Sequence, residues 1–361
     1  MAIKINLNPP VPNIPSFEDK TKIDVRYMVI APYVSIHVHY DVKLGEVIYD
    51  VEEPMLDEAE KGNLVRIEAA MREVVNTNMN EKTQGLDALL DYVDKVARLI
   101  ISELGLEISE ASFYKIFYYL YRDFIGLNKI EPMMKDYFIE DIECNGAKYP
   151  LYVVHRRYRN LKTNVVYKKI PELASFVEKL AQKTGKYVSY ATPLLDGALP
   201  DGSRVNATYT EDISSRGPTF TIRKFTKNPW PPTQLMKFGT ISPSILAYLW
   251  LAVEHGKNIM VIGGTGSGKT TLLNALTFFI PPQARIVSIE DTRELNLEHA
   301  NWLPSVSREG VGLANLVGQK YGEVTMFNLL KESFRQNPDY VIVGEIRGEE
   351  AYVLFQGMAS G

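Results

Sequence analysis

The chain has 361 residues, of which 45% are hydrophobic and 23% charged, and its formal net charge is −4. That composition belongs to folded protein rather than disorder, the length calls for two or three domains, and the slight acidity argues against a general nucleic-acid binder, so no nucleic-acid partner is expected. One cysteine, Cys144, excludes an internal disulfide framework, and the absence of a signal-peptide core or of an apolar run near the ~20 residues that cross a bilayer leads us to expect a cytoplasmic protein.

Residues 1–19, rich in Pro and Asn, read as an extended arm. Residues 25–51 alternate Val, Ile and Tyr with polar residues and read as two or three strands, with His37 and His39 on one strand face. Three amphipathic helices follow, over 56–76, 86–104 and 110–124. The apolar stripe of the last, Phe113, Ile116, Phe117, Leu120 and Phe124, reads as a core face because its polar side lacks a basic cluster. A second unit opens near Ile130. Residues 139–146 have hairpin character, ending at Asn145-Gly146 before a strand over 151–155. A helix over 171–184 and strands ending at Thr208 and Phe225 complete a small α+β module. Cys144 lies within it without a histidine or second cysteine at ligand spacing, and is expected to be a buried thiol. The prolines of Thr226-Lys-Asn-Pro-Trp-Pro-Pro-Thr233 mark a stiff linker. Four segments result: 1–125, strands plus helix bundle; 130–225, an α+β module; 226–240, linker; and 241–361, a nucleotide-binding core.

In that core Ser242 caps a helix that begins at Pro243. The apolar run 259–262 reads as a buried strand. It breaks into Gly263, Gly264, Thr265, Gly266, Ser267, Gly268, Lys269 and Thr270, and Thr271 leads into a helix over 272–279. This is the G-x-x-x-x-G-K-[ST] pattern in its strand–loop–helix setting. The glycines let backbone N–H groups surround phosphate oxygens, Lys269 reaches the β- and γ-phosphates, and the Thr270 hydroxyl holds Mg²⁺. Strands over 284–289 and 340–343 alternate with helices, the signature of a mostly parallel α/β sheet. Each is followed by carboxylates: Ile289-Glu290-Asp291-Thr-Arg-Glu294-Leu295 after the first, and Gly344-Glu345-Ile-Arg after the second. Glu290 and Glu345 are the candidates to hold the metal and prepare water; Asp291 and Glu294 are the weaker ones. His155, His255 and His299 are isolated and receive no role.

Together, Val261 to Ala275, the Glu-Asp-Thr-Arg-Glu box and Arg335-Gln-Asn-Pro-Asp-Tyr-Val-Ile-Val-Gly-Glu-Ile-Arg-Gly resemble the secretion ATPase superfamily of type II secretion, type IV pilus assembly and type IV secretion. The archaeal secretion and pilus branch is the nearest likeness, with the archaellum motor ATPase a cousin. Asp141 to Gly146, Pro200 to Val205 and Ile222 to Phe225 extend the likeness over about 130–361. The resemblance implies an α/β fold with a RecA-like P-loop core behind a PAS-like module. It also implies ATP and Mg²⁺ as cofactors, a homo-hexamer, and a polytopic membrane protein as partner on the cytosolic face. Arg204 and Arg223 occupy positions whose arginines reach the nucleotide in that family, and Arg216 is a further candidate. The family's chain continues past Met358 to Gly361 into a histidine-containing box, so this chain is expected to be part of a longer product whose nucleotide-binding sheet is incomplete here.

Overall fold

A computed structural model describes residues 5–15, 19–74, 85–225, 229–264, 266–308, 310 and 320–360. They form two compact units, Met1–Lys224 and Phe225–Gly361.

The first unit opens with strands β1 (Asp24–Ile30), β2 (Val34–Asp41) and β3 (Glu46–Glu52), then helices α1 (Glu58–Val74), α2 (Leu86–Glu103), α3 (Glu110–Leu120) and the short α4 (Glu131–Lys135). Ser109 caps α3, its hydroxyl accepting from the Ser112 amide at 3.1 Å, and the Phe113, Ile116, Phe117 and Leu120 stripe is buried. It is a core face, as its spacing indicated. The unit continues through β4 (Ile139–Cys144), β5 (Pro150–His155), β6 (Arg159–Val166), α5 (Ile170–Lys183), β7 (Leu194–Ala198), β8 (Arg204–Thr208) and β9 (Thr219–Arg223).

All nine strands share one sheet in the order β1-β2-β3-β6-β5-β4-β9-β8-β7. The sequence reading separates 1–125 from 130–225, whereas this sheet runs through both. The junction is the parallel pairing of β3 with β6 through Ile48↔Lys162 and Tyr49↔Thr163, which covers what would otherwise be an open edge on each half. A buried carboxylate reinforces it. Asp136 Oδ2 accepts from the hydroxyls of Tyr27 on β1 (2.7 Å) and Tyr49 on β3 (2.8 Å), and Oδ1 accepts from the Phe138 amide. Burial raises the Asp136 pKa, opposed chiefly by the Lys224 ammonium, whose own pKa burial pushes down to about 8. Cys144 is buried, and desolvation pushes its thiol up to about 11, an inert group. His37 and His39 do share a face, their rings stacked at 4.4 Å, and among the described residues no cluster of metal-ligating side chains appears.

The second unit comprises α6 (Pro232–Lys237), α7 (Pro243–Glu254), α8 (Lys269–Thr277), β10 (Ile286–Glu290), β11 (Trp302–Val306), α9 (Met326–Ser333), β12 (Tyr340–Val343) and α10 (Glu350–Ser360). Its sheet, in the order β11-β10-β12, is parallel throughout. Strand β10 is buried at all five positions, as a central parallel strand covered on both faces must be. Alternation then sorts its side chains. Ile286 packs with Val253 of α7 and Leu276 of α8, whereas Val287 and Ile289 pack with Leu330 of α9 and Leu354 of α10. Glu290, two pleats from Ile286, therefore belongs to the α7/α8 face.

Two expectations are corrected here. The run 259–262 makes no strand ladder among the described residues: Ile259, Met260 and Ile262 are exposed, Val261 joins the core, and β11 is the third strand instead. An apolar sequence becomes a strand only when a neighbour offers matching N–H and C=O groups. Within the expected linker, Pro232 occupies a first-turn position of α6, where its missing N–H and fixed φ suit a helix start. Among the described residues, no helix is long and apolar enough to cross a membrane.

Candidate functional site

The loop between residue 262 and α8 is shaped by backbone that side chains resist. Gly266 and Gly268 have φ of +68° and +86°, and Gly268 forms the N-cap of α8. Described residues 263–268 are exposed, and Thr265 lies outside the described residues. The Gly264 carbonyl accepts from Ser267 Oγ at 2.8 Å and from Lys269 Nζ at 2.6 Å, so the ammonium spans its own loop. Lys269, Thr270 and Thr271 form the first turn of α8, where backbone N–H groups lack intrahelical acceptors and the helix dipole favours an anion.

Glu290 ends β10 and is 1% exposed. Its Oε1 accepts from the amides of Glu294 and Leu295, each at 2.8 Å, while Oε2 is buried without a hydrogen-bond partner. Burial raises its pKa to about 7, with the two amides pulling the other way. The end of β12 lies beside it. The Gly344 amide donates to Ile289 O at 2.9 Å, and a Cβ at Gly344 would stand 3.0 Å from Glu290 Cγ, so a larger residue ahead of Glu345 would press on the Glu290 side chain. Glu345 is one-third exposed and pairs with Arg347 at 2.7 Å. Asp291 accepts from Ser307 Oγ at 2.6 Å, a local role, and Glu294 contributes its backbone to the Glu290 turn.

One residue without a sequence signal ties these parts together. Asn274, buried on α8, accepts the Asn296 amide on Oδ1 (3.2 Å) and donates from Nδ2 to Glu294 O (3.3 Å). The loop helix is thereby bonded to the turn that holds Glu290.

A Mg²⁺ ion fits this donor set. Its usual site combines one or two carboxylates with water and substrate phosphates rather than an all-protein cage. Glu290 offers a buried carboxylate oxygen with no other bond, and Glu345 and the Thr270 hydroxyl are the further candidates expected from the sequence.

The arginines belong to the first unit. Arg204 and Arg223 are directly opposite on β8 and β9, on the sheet face away from buried Val205, Ala207, Phe220 and Ile222. Asp196 holds Arg204 through two bonds (Nη2–Oδ2 2.9 Å, Nε–Oδ1 3.2 Å), and Asp141 lies 3.4 Å from Arg223. Like charges opposite one another on a sheet repel, so each needs such a counter-ion. Arg216 sits in the loop before β9, its guanidinium 4.4 Å over the Tyr149 ring.

Residues 153–361 match the family described as Type II/IV secretion system protein. An uncharacterized protein of Methanocaldococcus jannaschii is 39% identical over 330 residues, covering 87% of this chain and 58% of that protein. The type IV secretion system protein PtlH of Bordetella pertussis is 35% identical over 193 residues, 47% of this chain and 54% of PtlH. The chain thus spans about half the length of the curated relatives it matches. Among solved structures, the Yersinia pseudotuberculosis ATPase DotB aligns with a TM-score of 0.45 at 15% identity, over 71% of this chain and 64% of that one. The family assignment stands on the sequence match, which takes in more than half of the chain: this protein is a member of the type II/IV secretion system family.

Proposed function

We propose that this chain is a Mg²⁺-dependent ATPase that drives protein secretion or the assembly of a type IV pilus- or archaellum-type filament, as a homo-hexamer docked on a polytopic membrane protein at the cytosolic face. The observation that carries the hydrolytic reading is Glu290, a buried carboxylate with one unbonded oxygen and a pKa raised to about 7, fastened to the helix that Lys269 begins. A carboxylate with a pKa near the working pH suits the deprotonation of water. Thr270, Glu290 and Glu345 would hold Mg²⁺, directly or through its waters, and the bound ion supplies charge neutralisation on the phosphate oxygens. Lys269 and the first amides of α8 bind and orient the triphosphate. ATP over other nucleotides, the hexamer and the membrane partner come from the family likeness.

Arg204 and Arg223 are proposed to neutralise charge growing on the γ-phosphate, since a permanently charged planar fork matches a phosphoryl group. Arg204→Ala is expected to lower kcat roughly tenfold with little change in nucleotide affinity, because Arg223 directly opposite leaves one cation in place. Equal losses in affinity and turnover would remove the arginines from the proposal.

The broader reading is tested by ATPase assays with and without DNA. Mg²⁺-dependent turnover that DNA does not raise is expected. Turnover that rises severalfold with DNA would favour a nucleic-acid translocase, and nucleotide binding without turnover would favour a sensing scaffold.

A further inference from the structure

We propose that Asn274 is a positioning residue for hydrolysis: by bonding the phosphate-loop helix to the turn at 294–296, it fixes the two amides that aim the Glu290 carboxylate. The proposal rests on the hydrolytic reading of Glu290 and Lys269 above.

The connection is a continuous chain of bonds within one unit. Helix α8 begins at Lys269, and Asn274 lies one and a half turns further on, facing inward and buried. Its amide makes both bonds to the same short segment, one to Glu294 O and one from Asn296 N–H. That segment supplies the Glu294 and Leu295 amides, both of which donate to Glu290 Oε1. Leu295 is fully buried in the cluster with Leu276 of the same helix, so packing and hydrogen bonds hold the turn from the same side. With Oε1 committed to the turn, Oε2 is the oxygen left for chemistry, and its direction is set by where the turn stands relative to α8.

An asparagine suits this task and few other side chains do. It offers a donor and an acceptor on one planar group, and the turn presents one carbonyl and one N–H. Alanine removes both bonds. Aspartate keeps the acceptor for Asn296 N–H but sets a carboxylate oxygen against the Glu294 carbonyl. Neither substitution touches Lys269 or the loop amides. The expected signature is therefore a loss of turnover with nucleotide binding preserved, since only the group that prepares water is misdirected.

The experiment is a double-mutant cycle on the full chain, with steady-state ATPase kinetics and nucleotide affinity measured for Asn274→Ala, Glu290→Gln and the pair. Asn274→Ala is expected to lower kcat about tenfold while KM and nucleotide Kd stay within about threefold. In the Glu290→Gln background it is expected to lower kcat no further, because a residue that acts through Glu290 has nothing left to position. Asn274→Asp, nearly isosteric, is the second variant should the alanine form fail to fold, and the same non-additivity is expected of it. Additive losses in the double variant, or a loss that falls on Kd, would overturn the positioning role while leaving the ATPase reading intact. Absence of turnover by the unaltered chain would instead remove the hydrolytic reading and this proposal with it.

Discussion

Lys269→Ala is expected to abolish measurable nucleotide binding, and turnover with it, while leaving the fold unchanged. The ammonium already lies across the loop, 2.6 Å from Gly264 O, within the first turn of α8. A phosphate oxygen is a stronger acceptor than that carbonyl, since the bond is charge-assisted from both sides. One such bond, exchanged against water, is worth roughly 1.5–3 kcal/mol, and Lys269 is proposed to reach two phosphates. Losing even 3 kcal/mol weakens Kd by more than about a hundredfold. The cost to folding is small by comparison. The loop is exposed, and the Gly264 carbonyl keeps its bond from Ser267 Oγ. Isothermal titration with ATP and Mg²⁺, alongside thermal melting, checks both halves. A variant that binds nucleotide as tightly as the unaltered chain would show that the loop is not the phosphate site. A variant that melts many degrees lower would show that Lys269 holds structure instead.

Much of this could be read from residue order, and the reasons for success and failure are physical. The P-loop signature is legible because each residue type is dictated locally: glycine by left-handed backbone, Lys and Thr by contact with phosphate and metal. The β12 strand is legible because Tyr340-Val-Ile-Val343 is a short apolar run stopped by glycine, and the Phe113 to Leu120 stripe because one helix face decides it. What remained hidden depends on partners distant in sequence. Whether 259–262 joins a ladder is decided by its neighbours, and its composition is silent on that. Strand β11, Trp302-Leu-Pro-Ser-Val306, carries a proline that argues against a strand, and it is admitted because β11 occupies an edge of its sheet. The single sheet through 24–223 rests on two β3/β6 pairs whose members are more than 110 residues apart. Asn274 has no motif of its own. It lies inside a helix, where asparagine is neutral to unfavourable, and that mild misfit is the one local hint that its side chain has other work. Likewise the carboxylates that pair with Arg204 and Arg223, Asp196 and Asp141, could be found only once β7 and β4 were set beside them.

Glu290→Gln is expected to lower turnover by about 10²–10⁴ while nucleotide affinity measured without Mg²⁺ changes little, and to remove a pH dependence from folding stability. The kinetic half follows from replacing a buried carboxylate by a group that cannot take a proton; the amide keeps an oxygen for the Glu294 and Leu295 N–H groups, so the turn has no cause to move. The stability half follows from linkage. The folded-state pKa, about 7, lies above the ordinary value of 4.5 because burial disfavours the charge. A group whose pKa is raised on folding contributes stability that is complete below the unfolded value and is lost as pH rises through the folded one. Between about pH 5 and pH 8 the unaltered chain should therefore lose up to roughly 3 kcal/mol at this residue. The glutamine form, uncharged throughout, should not show that portion of the slope. Denaturant unfolding of both forms at pH 5.5 and pH 8, without nucleotide, gives the comparison directly. Mg²⁺ and nucleotide should then stabilise the unaltered chain more at pH 8 than at pH 5.5, since a cation beside Oε2 relieves the ionised form selectively. If both forms lose the same stability between the two pH values, the Glu290 carboxylate is not held in the raised state that suits it to take a proton from water. Full turnover by the glutamine variant would remove it from the chemistry altogether, and leave Glu345, in its exposed pair with Arg347, as the carboxylate to examine.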